Sequence, residues 1–155
     1  DAELVKDPIF SLELPVKNLK GTVGIQLRNY PSLSDGFLNA LADEVIKRFP
    51  DKKIQIFSFQ DSIDLDVCEK FARILAKKDR VKDVEVLSGL SVNKISELEY
   101  MIGMRFHANV AAIISGVKTL AINYDIKVKK LADEYDLPVI ELSQRDFTKE
   151  FDKLG

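Results

Sequence analysis

The sequence contains one cysteine and one histidine, and neither acidic nor basic residues are in marked excess. Cys68 cannot form an internal disulfide. Its spacing from Val67, Phe71 and Leu75 places it on the apolar face of a predicted helix, so we interpret it as a core residue. The net charge of −2 provides no general field that would attract nucleic acid, which we exclude as a partner. An anionic ligand would therefore have to be bound by a local cluster of cations.

Long apolar runs are absent as well. No stretch approaches the ~20 apolar residues that span a bilayer, and no export signal is recognisable. We predict a cytoplasmic protein and leave open whether the full-length protein lies at the inner face of the membrane. The chain starts at Asp1 without a methionine, and Asp7-Pro8 is typical of a linker. We therefore predict a linker or edge segment over residues 1–19 and one domain over residues 20–155, the C-terminal half of a larger two-domain enzyme.

Signals for a cofactor or a resident metal are weak. Gly21 and Gly24 lie before and within a predicted strand, and no glycine-rich turn follows it, so the sequence lacks a dinucleotide-binding fingerprint. Asp61, Asp64 and Asp66 offer oxygen ligands for a cation, but acidic residues are common at a helix start because they complement the helix dipole. No zinc-ligand spacing is present. We predict no cofactor and no metal site.

What the sequence does contain is a regular alternation of short apolar runs with amphipathic stretches, which is typical of a parallel sheet covered on both faces. The predicted strands are 22–28, 53–59, 83–87, 100–104, 118–122 and 138–142. The predicted helices are 35–49, with Ser34 or Asp35 as N-cap, then 64–78, 92–99, 106–115, 125–135 and 144–153. The fold class is therefore α/β, a three-layer doubly wound parallel sheet of the Rossmann-like type.

The expected strand order of such a sheet is 3-2-1-4-5-6, and its ligands bind at the carboxyl ends of strands one and four. Arg28, Asn29 and Tyr30 follow strand one, and Arg105 and His107 follow strand four. This polar and cationic cluster predicts an anion site at that edge of the sheet.

His107 and Arg105 carry the strongest chemical signal in the cluster. His107 lies in the first turn of a predicted helix, where the helix dipole favours neutral imidazole, so a protonated His107 requires a nearby anion. A guanidinium at the end of a buried strand is costly unless it meets an anion or a carboxylate. Two alternatives remain open: a histidine bonded to backbone, and an Arg105 paired with a carboxylate such as Glu99 or Asp125.

A second polar cluster, residues 123–127, follows strand five and is predicted to lie beside the loop of His107. Lys127 is a candidate for binding a phosphate, while Tyr124 and Asp125 are candidates for orienting a sugar hydroxyl or holding the lysine. The alternative is an ordinary helix start, in which Asp125 complements the dipole and Lys127 is solvated.

The stretches 102–108 and 124–128 together resemble the polysaccharide pyruvyl transferase family, which has a G-x-R-L-H-A turn and, about twenty residues later, a Y-D-x-K turn. Here Gly103-Met104-Arg105-Phe106-His107-Ala108 carries the first turn, with Phe106 in place of the usual leucine, and Tyr124-Asp125-Ile126-Lys127 carries the second. The segment Asp7–Phe10 is similar to the family's D-P-x-F, and Gln26–Arg28 to its first-strand motif. The resemblance covers roughly residues 7–142.

The resemblance implies one half of an arrangement like that of GT-B glycosyltransferases, and transfer of pyruvate from phosphoenolpyruvate onto two sugar hydroxyls as a cyclic ketal. His107 would be the general acid that protonates the methylene carbon of the donor, with Arg105 and Lys127 holding phosphate or carboxylate. Asn109 is more polar than the family norm and would face the acceptor. The predicted site consists of catalytic His107 and the substrate-binding residues Arg105, Lys127, Arg28, Tyr124, Asp125 and Asn109.

The implied partners are phosphoenolpyruvate as donor substrate, a sugar or lipid-linked saccharide acceptor, and an N-terminal half-domain, without which we expect the chain to be inactive. Two other functions remain open. The nucleotide-sugar-binding half of a GT-B glycosyltransferase would bind a nucleotide diphosphate sugar in the same crevice. A non-catalytic binding domain would use Arg105 and Lys127 structurally and would bind neither anion.

Overall fold

The computed structural model describes residues 21–78, 83–89 and 92–155. The strands are Thr22–Gln26 (β1), Lys53–Phe57 (β2), Val84–Leu87 (β3), Tyr100–Gly103 (β4), Lys118–Asn123 (β5) and Val139–Glu141 (β6). The helices are Asp35–Arg48 (α1), Asp61–Lys77 (α2), Val92–Ile95 (α3), Phe106–Ile114 (α4), Ile126–Glu134 (α5) and Thr148–Leu154 (α6). The predicted segment 1–19, with its D-P-x-F motif, lies outside the described residues.

The strands form one parallel sheet in the order β3-β2-β1-β4-β5-β6. Ile25 of β1 lies between Ile56 of β2 and Ile102 of β4, which fixes the register at the centre of the sheet. The structure thus confirms the predicted α/β doubly wound class and the predicted strand order. The first three strands follow one another outwards from β1, and the last three follow one another outwards from β4 on the other side. The topology therefore switches between β1 and β4, and the crevice expected for ligands lies at the carboxyl ends of these strands.

Helices cover both faces of the sheet, which explains why the strands are apolar on both sides. One face is packed by α1, α2 and α6 around Ile25 and Ile56. The other is packed by α3, α4 and α5 around Phe57 and Met101. Cys68 of α2 is fully buried, which confirms it as a core residue. Among the helices of the described ranges, none is long and apolar enough to cross a membrane.

Side chains set where the first two helices begin. The Oγ of Ser34 accepts a hydrogen bond from the N–H of Phe37 at 3.2 Å and is the N-cap of α1. Helix α2 begins earlier than the predicted residue 64. Asp64 Oδ2 reaches back to accept from the N–H groups of Phe59 and Gln60, both at 3.1 Å, which fixes the backbone directly before the helix.

Helix α3 is shorter than the predicted 92–99 and ends at Ile95. Leu98 instead packs over the backbone of Gly24, where an added Cβ would lie 2.3 Å from Leu98 Cδ1, and the chain turns there into β4.

The last helix begins at Thr148, later than the predicted residue 144. The side chain of Gln144 fixes a turn instead: its Oε1 accepts from the N–H of Glu141 and its Nε2 donates to the carbonyl of Asp146. The other element ends lie within two residues of the prediction, which is the usual scatter of helix and strand boundaries.

Candidate functional site

The sheet register brings the ends of three strands together. Gln26 of β1 pairs with Gly103 of β4, and Gly103 pairs with Ala121 of β5. The turns that follow β4 and β5 therefore lie side by side at the carboxyl edge of the sheet. A cavity of about 220 Å³ lies between them, lined by Arg105, Phe106, His107, Tyr124, Asp125 and Lys127.

This cavity gathers most of the predicted site. Arg105 and His107 come from the first turn, and Tyr124, Asp125 and Lys127 come from the second, as their spacing in the sequence predicts. Its volume is below the roughly 300–1,000 Å³ of drug-sized ligand pockets, so it suits a small ligand. The roles of these side chains remain predictions. The contacts that each side chain makes within the protein determine which of its polar groups are available to a ligand.

Arg105 is held by a carboxylate of another helix. Its Nε donates to Asp64 Oδ2 at 2.8 Å and its Nη2 to Asp64 Oδ1 at 2.7 Å. Asp64 is fully buried, whereas the Arg105 side chain is 17% exposed. The alternative that Arg105 pairs with a carboxylate is therefore confirmed, but the partner is Asp64 and not Glu99 or Asp125, the two examples considered. Glu99 precedes β4, so it lies at the opposite edge of the sheet, and Asp125 caps α5.

Gln26 completes the support beneath the first turn. This fully buried side chain accepts from the Arg105 N–H at 2.8 Å and donates to the carbonyl of Leu27 at 2.8 Å and to Asp64 Oδ2 at 3.3 Å. The turn is thus fixed to β1 through Gln26 and to α2 through Asp64. Because Gln26 and Asp64 are buried, water does not compete for these hydrogen bonds.

We did not predict Asp64 and Gln26 as parts of the site, although the sequence carries a signal for Asp64. It falls on the apolar stripe of its helix, three, four and seven residues before Val67, Cys68 and Phe71. A carboxylate on a buried stripe needs a partner, because an unpaired charge in a core is strongly unfavourable.

His107 is the second residue of α4 and its side chain is exposed at the cavity. Its ring lies edge-on to that of Phe106, with 5.7 Å between the ring centroids. Phe106 in turn packs against the buried cluster that contains Ala121 and Val128. The larger residue in place of the family's leucine therefore anchors the turn in the core, while the imidazole remains accessible to a ligand.

Asp125 and Lys127 differ in whether their charged groups already have a hydrogen-bond partner in the protein. Asp125 is the N-cap of α5, and its Oδ1 accepts from the N–H of Lys127 at 2.9 Å. This is the ordinary helix start that was one of the alternatives for Asp125. The Lys127 side chain is exposed, and no ion pair with another described residue involves it. Its ammonium charge can therefore act on a ligand in the cavity.

Arg28 lies beside the cavity rather than in its lining. Its guanidinium carbon is 5.4 Å from the centre of the Tyr124 ring, a cation–π contact. Tyr30 meets the same ring edge-to-face, with 5.3 Å between centroids. The residues after β1 thus support Tyr124 through its ring. A direct contact of Arg28 with substrate stays a prediction.

Asn109 lies in the core and does not line the cavity, so the expectation that it faces an acceptor needs correction. Its side chain is fully buried and its Nδ2 donates to the carbonyl of Gly103 at 3.1 Å. Asn109 is the fourth residue of α4, and its side chain faces β4 rather than the crevice, so the polar group bonds back to that strand.

The acidic residues Asp61 and Asp64 at the start of α2 make structural contacts within the protein. Asp61 accepts from the Ser58 hydroxyl at 2.7 Å and from the N–H of Gly89 at 2.9 Å. These bonds, that of Gly89 above all, lower the pKa of Asp61. Asp64 binds Arg105. Within the described ranges no group of three or more potential ligands is placed to hold a metal ion.

A search of curated proteins finds no match. The family model described as polysaccharide pyruvyl transferase matches residues 1–126. The match covers most of the chain, includes the turn of Arg105 and His107, and ends one residue before Lys127. The resemblance predicted from the paired turns is therefore confirmed, and the chain belongs to the polysaccharide pyruvyl transferase family.

Proposed function

We propose that this domain takes pyruvate from phosphoenolpyruvate and places it on two hydroxyls of a sugar as a cyclic ketal, with the donor bound in the cavity between the two turns. The observation that carries the proposal is the convergence of Arg105, His107 and Lys127 on one small cavity at the carboxyl edge of the sheet. Cations and a titratable acid are what this donor requires, because it combines a phosphate with a carboxylate.

Lys127 supplies the net charge for the donor. The charge of Arg105 is balanced by Asp64, so the pair contributes no net attraction for an anion. Of the five N–H donors of a guanidinium, the two bonds to Asp64 leave three for a ligand. Arg105 therefore acts as a fixed hydrogen-bond donor, and Lys127, whose charge has no described counter-ion, acts as the electrostatic partner of the phosphate.

His107 acts as the general acid. Protonated imidazole transfers its proton to the methylene carbon of phosphoenolpyruvate, which becomes a methyl group, and the adjacent carbon becomes oxocarbenium-like. A sugar hydroxyl adds to that carbon and its proton returns to His107. The second hydroxyl forms the other C–O bond as the C–O bond to phosphate breaks, and its proton leaves with the phosphate.

A second half-domain over this edge would complete the site. The exposed His107 and the small cavity are the observations that support it, since proton transfer to carbon needs a site from which water is excluded. The acceptor would then be a sugar of a polysaccharide or of a lipid-linked precursor.

One observation favours the non-catalytic alternative in part. Arg105 has a structural partner in Asp64, as a domain without anion binding would require. The exposed Lys127 agrees with an anion site in the cavity and equally with an ordinary helix start whose lysine is solvated. The two functions differ in whether the donor binds.

The test uses the only histidine as a probe. We would record the proton NMR titration of the His107 ring with and without phosphoenolpyruvate. Donor anions beside the ring stabilise the imidazolium, so the titration midpoint is expected to move to higher pH.

The Lys127→Ala variant should reduce that displacement. Lys130→Ala removes the same charge from an exposed position on the same helix and should leave it unchanged. A titration that does not respond to millimolar phosphoenolpyruvate in any of the three proteins would support the non-catalytic alternative.

A further inference from the structure

A second and larger cavity adjoins the first. It has a volume of about 550 Å³ and lies at the ends of β1, β5 and β6. Tyr124 and Asp125 line both cavities, so these two residues form the wall between them. The larger cavity is within the roughly 300–1,000 Å³ usual for small-molecule sites.

The lining of the larger cavity differs in charge from that of the smaller one. Asp125 and Glu141 contribute carboxylates, and the lysine that lines it, Lys129, already pairs with Asp133 at 2.9 Å. The lining is therefore acidic on balance, whereas in the smaller cavity the carboxylate of Asp125 is accompanied by the cations Arg105 and Lys127. A phosphate would be repelled by the larger cavity, and a neutral ligand that donates hydrogen bonds would not.

Its other groups suit a ligand with hydroxyls on one side and C–H groups on the other. Asn123 Nδ2 donates to both oxygens of Glu141, at 3.1 and 3.2 Å, which holds the carboxylate in the lining of the cavity. A carboxylate has about four lone-pair sites, so Glu141 retains acceptor capacity for hydroxyls. Tyr30 and Tyr124 supply aromatic rings at 73° to each other.

We propose that this larger cavity binds the sugar ring of the acceptor, with Glu141 and Asn123 on its hydroxyls and Tyr30 and Tyr124 against its C–H groups. The inference rests on the proposed function, because it places the acceptor beside a donor in the smaller cavity. The shared wall then puts a sugar hydroxyl next to the donor carbon. A nucleotide diphosphate, the ligand of the GT-B alternative, would bring negative charge next to the carboxylate of Glu141.

The experiment records NMR spectra of this chain during titration with the methyl glycosides of glucose, galactose and mannose, without phosphoenolpyruvate. We expect at least one of them to shift the resonances of Tyr30, Asn123 and Glu141. Glu141→Gln should raise the dissociation constant about tenfold, because a hydrogen bond to a charged acceptor is replaced by a weaker one to a neutral amide. Tyr30→Leu should weaken binding through the loss of the ring.

Glu134→Gln is the matched control, since it makes the same change at an exposed position at the end of α5, and it should bind like the original chain. Absence of shifts with all three glycosides, or equal binding by Glu141→Gln and Glu134→Gln, would overturn the inference. Shifts of the same residues with uridine diphosphate in place of the glycosides would also overturn it.

The two proposals fail separately. If His107 responds to phosphoenolpyruvate while the glycosides leave Tyr30 and Glu141 unchanged, the acceptor site is wrong and the donor site stands. If the glycosides bind as expected while phosphoenolpyruvate leaves the NMR titration of His107 unchanged, the larger cavity is a sugar site and the proposed donor is wrong.

Discussion

Asp64 and Arg105 face each other with two parallel hydrogen bonds of 2.8 and 2.7 Å, across the junction of α2 with the turn that carries His107. Hydrogen bonding to Asp64 raises the pKa of Arg105, so the guanidinium stays charged. Because Asp64 is also bonded to Gln26 and to the backbone before α2, one buried carboxylate fixes three segments that meet below the candidate site.

Asp64→Asn is expected to lower the free energy of unfolding by about 3 kcal/mol, at the lower end of what breaking a buried ion pair costs because Arg105 is partly exposed. The amide keeps the shape of the carboxylate but leaves the guanidinium without a counter-charge. Urea unfolding of the two proteins measures the difference. Asp66→Asn, an exposed site on the same helix, should change stability by no more than about 0.5 kcal/mol. Equal effects of the two substitutions would mean that the pair contributes little.

A side chain at Gly103 is expected to destabilise the protein. A Cβ at this position would lie 2.4 Å from Asn109 Oδ1 and 3.0 Å from its Cγ, so the buried Asn109 side chain would have to shift. Gly103→Ala should therefore cost about 1–3 kcal/mol through overpacking. In an Asn109→Ala background the same substitution should cost less, and a double-mutant cycle by thermal or urea unfolding measures the difference. Additive effects would contradict the clash.

Cys68 is expected to be inert towards thiol reagents in the folded protein. Burial raises its pKa to about 12, so roughly one thiol in ten thousand is ionised at pH 8, and that one is shielded from solvent. Because it is the single cysteine, release of the chromophore from an aromatic disulfide reagent reports on it alone. Reaction should be complete in denaturant and slow in buffer. Fast reaction in buffer would show that α2 opens locally.

The fold could be predicted from the sequence because each helix and strand is indicated by a short continuous stretch of residues. Alternating apolar runs and amphipathic stretches determine the elements, and right-handed crossovers then leave few strand orders. The placement of Arg105, His107 and Lys127 at one edge follows from the same reasoning, since residues that come directly after neighbouring parallel strands share an edge whatever their side chains do.

What the sequence did not provide were contacts between side chains far apart in the chain. The partner of Arg105 is 41 residues away and lies on a helix whose first turn was not predicted. Asn109 was expected in the crevice, but which side of a short helix faces the sheet depends on the packing of its neighbours. Glu141 joins Tyr30 at the larger cavity only because β6 lies beside β5.

Glu99, which sequence reasoning considered for Arg105, braces the amino edge of the sheet instead. Its Oε1 accepts from Lys52 Nζ at 2.8 Å and from the N–H of Gly21 at 2.9 Å. The hydrogen bond from Lys52, and then that from Gly21, lower the pKa of Glu99 below its ordinary value of 4.5 despite partial burial. A carboxylate with a lowered folded pKa stabilises the protein above its unfolded pKa, and this contribution is lost as the pH falls through the folded pKa.

Glu99→Gln is therefore expected to lower the free energy of unfolding by about 1 kcal/mol at pH 7, since the side chain is only partly shielded from solvent. The difference between the two proteins should stay constant down to about pH 5 and shrink as the pH falls below 4.5, the ordinary pKa. Urea unfolding across an acid series measures it. Lys52→Gln removes the main cause of the lowered pKa, so in that background the effect of Glu99→Gln should depend much less on pH. A difference that persists undiminished into acid would mean that Glu99 acts through its shape rather than its charge.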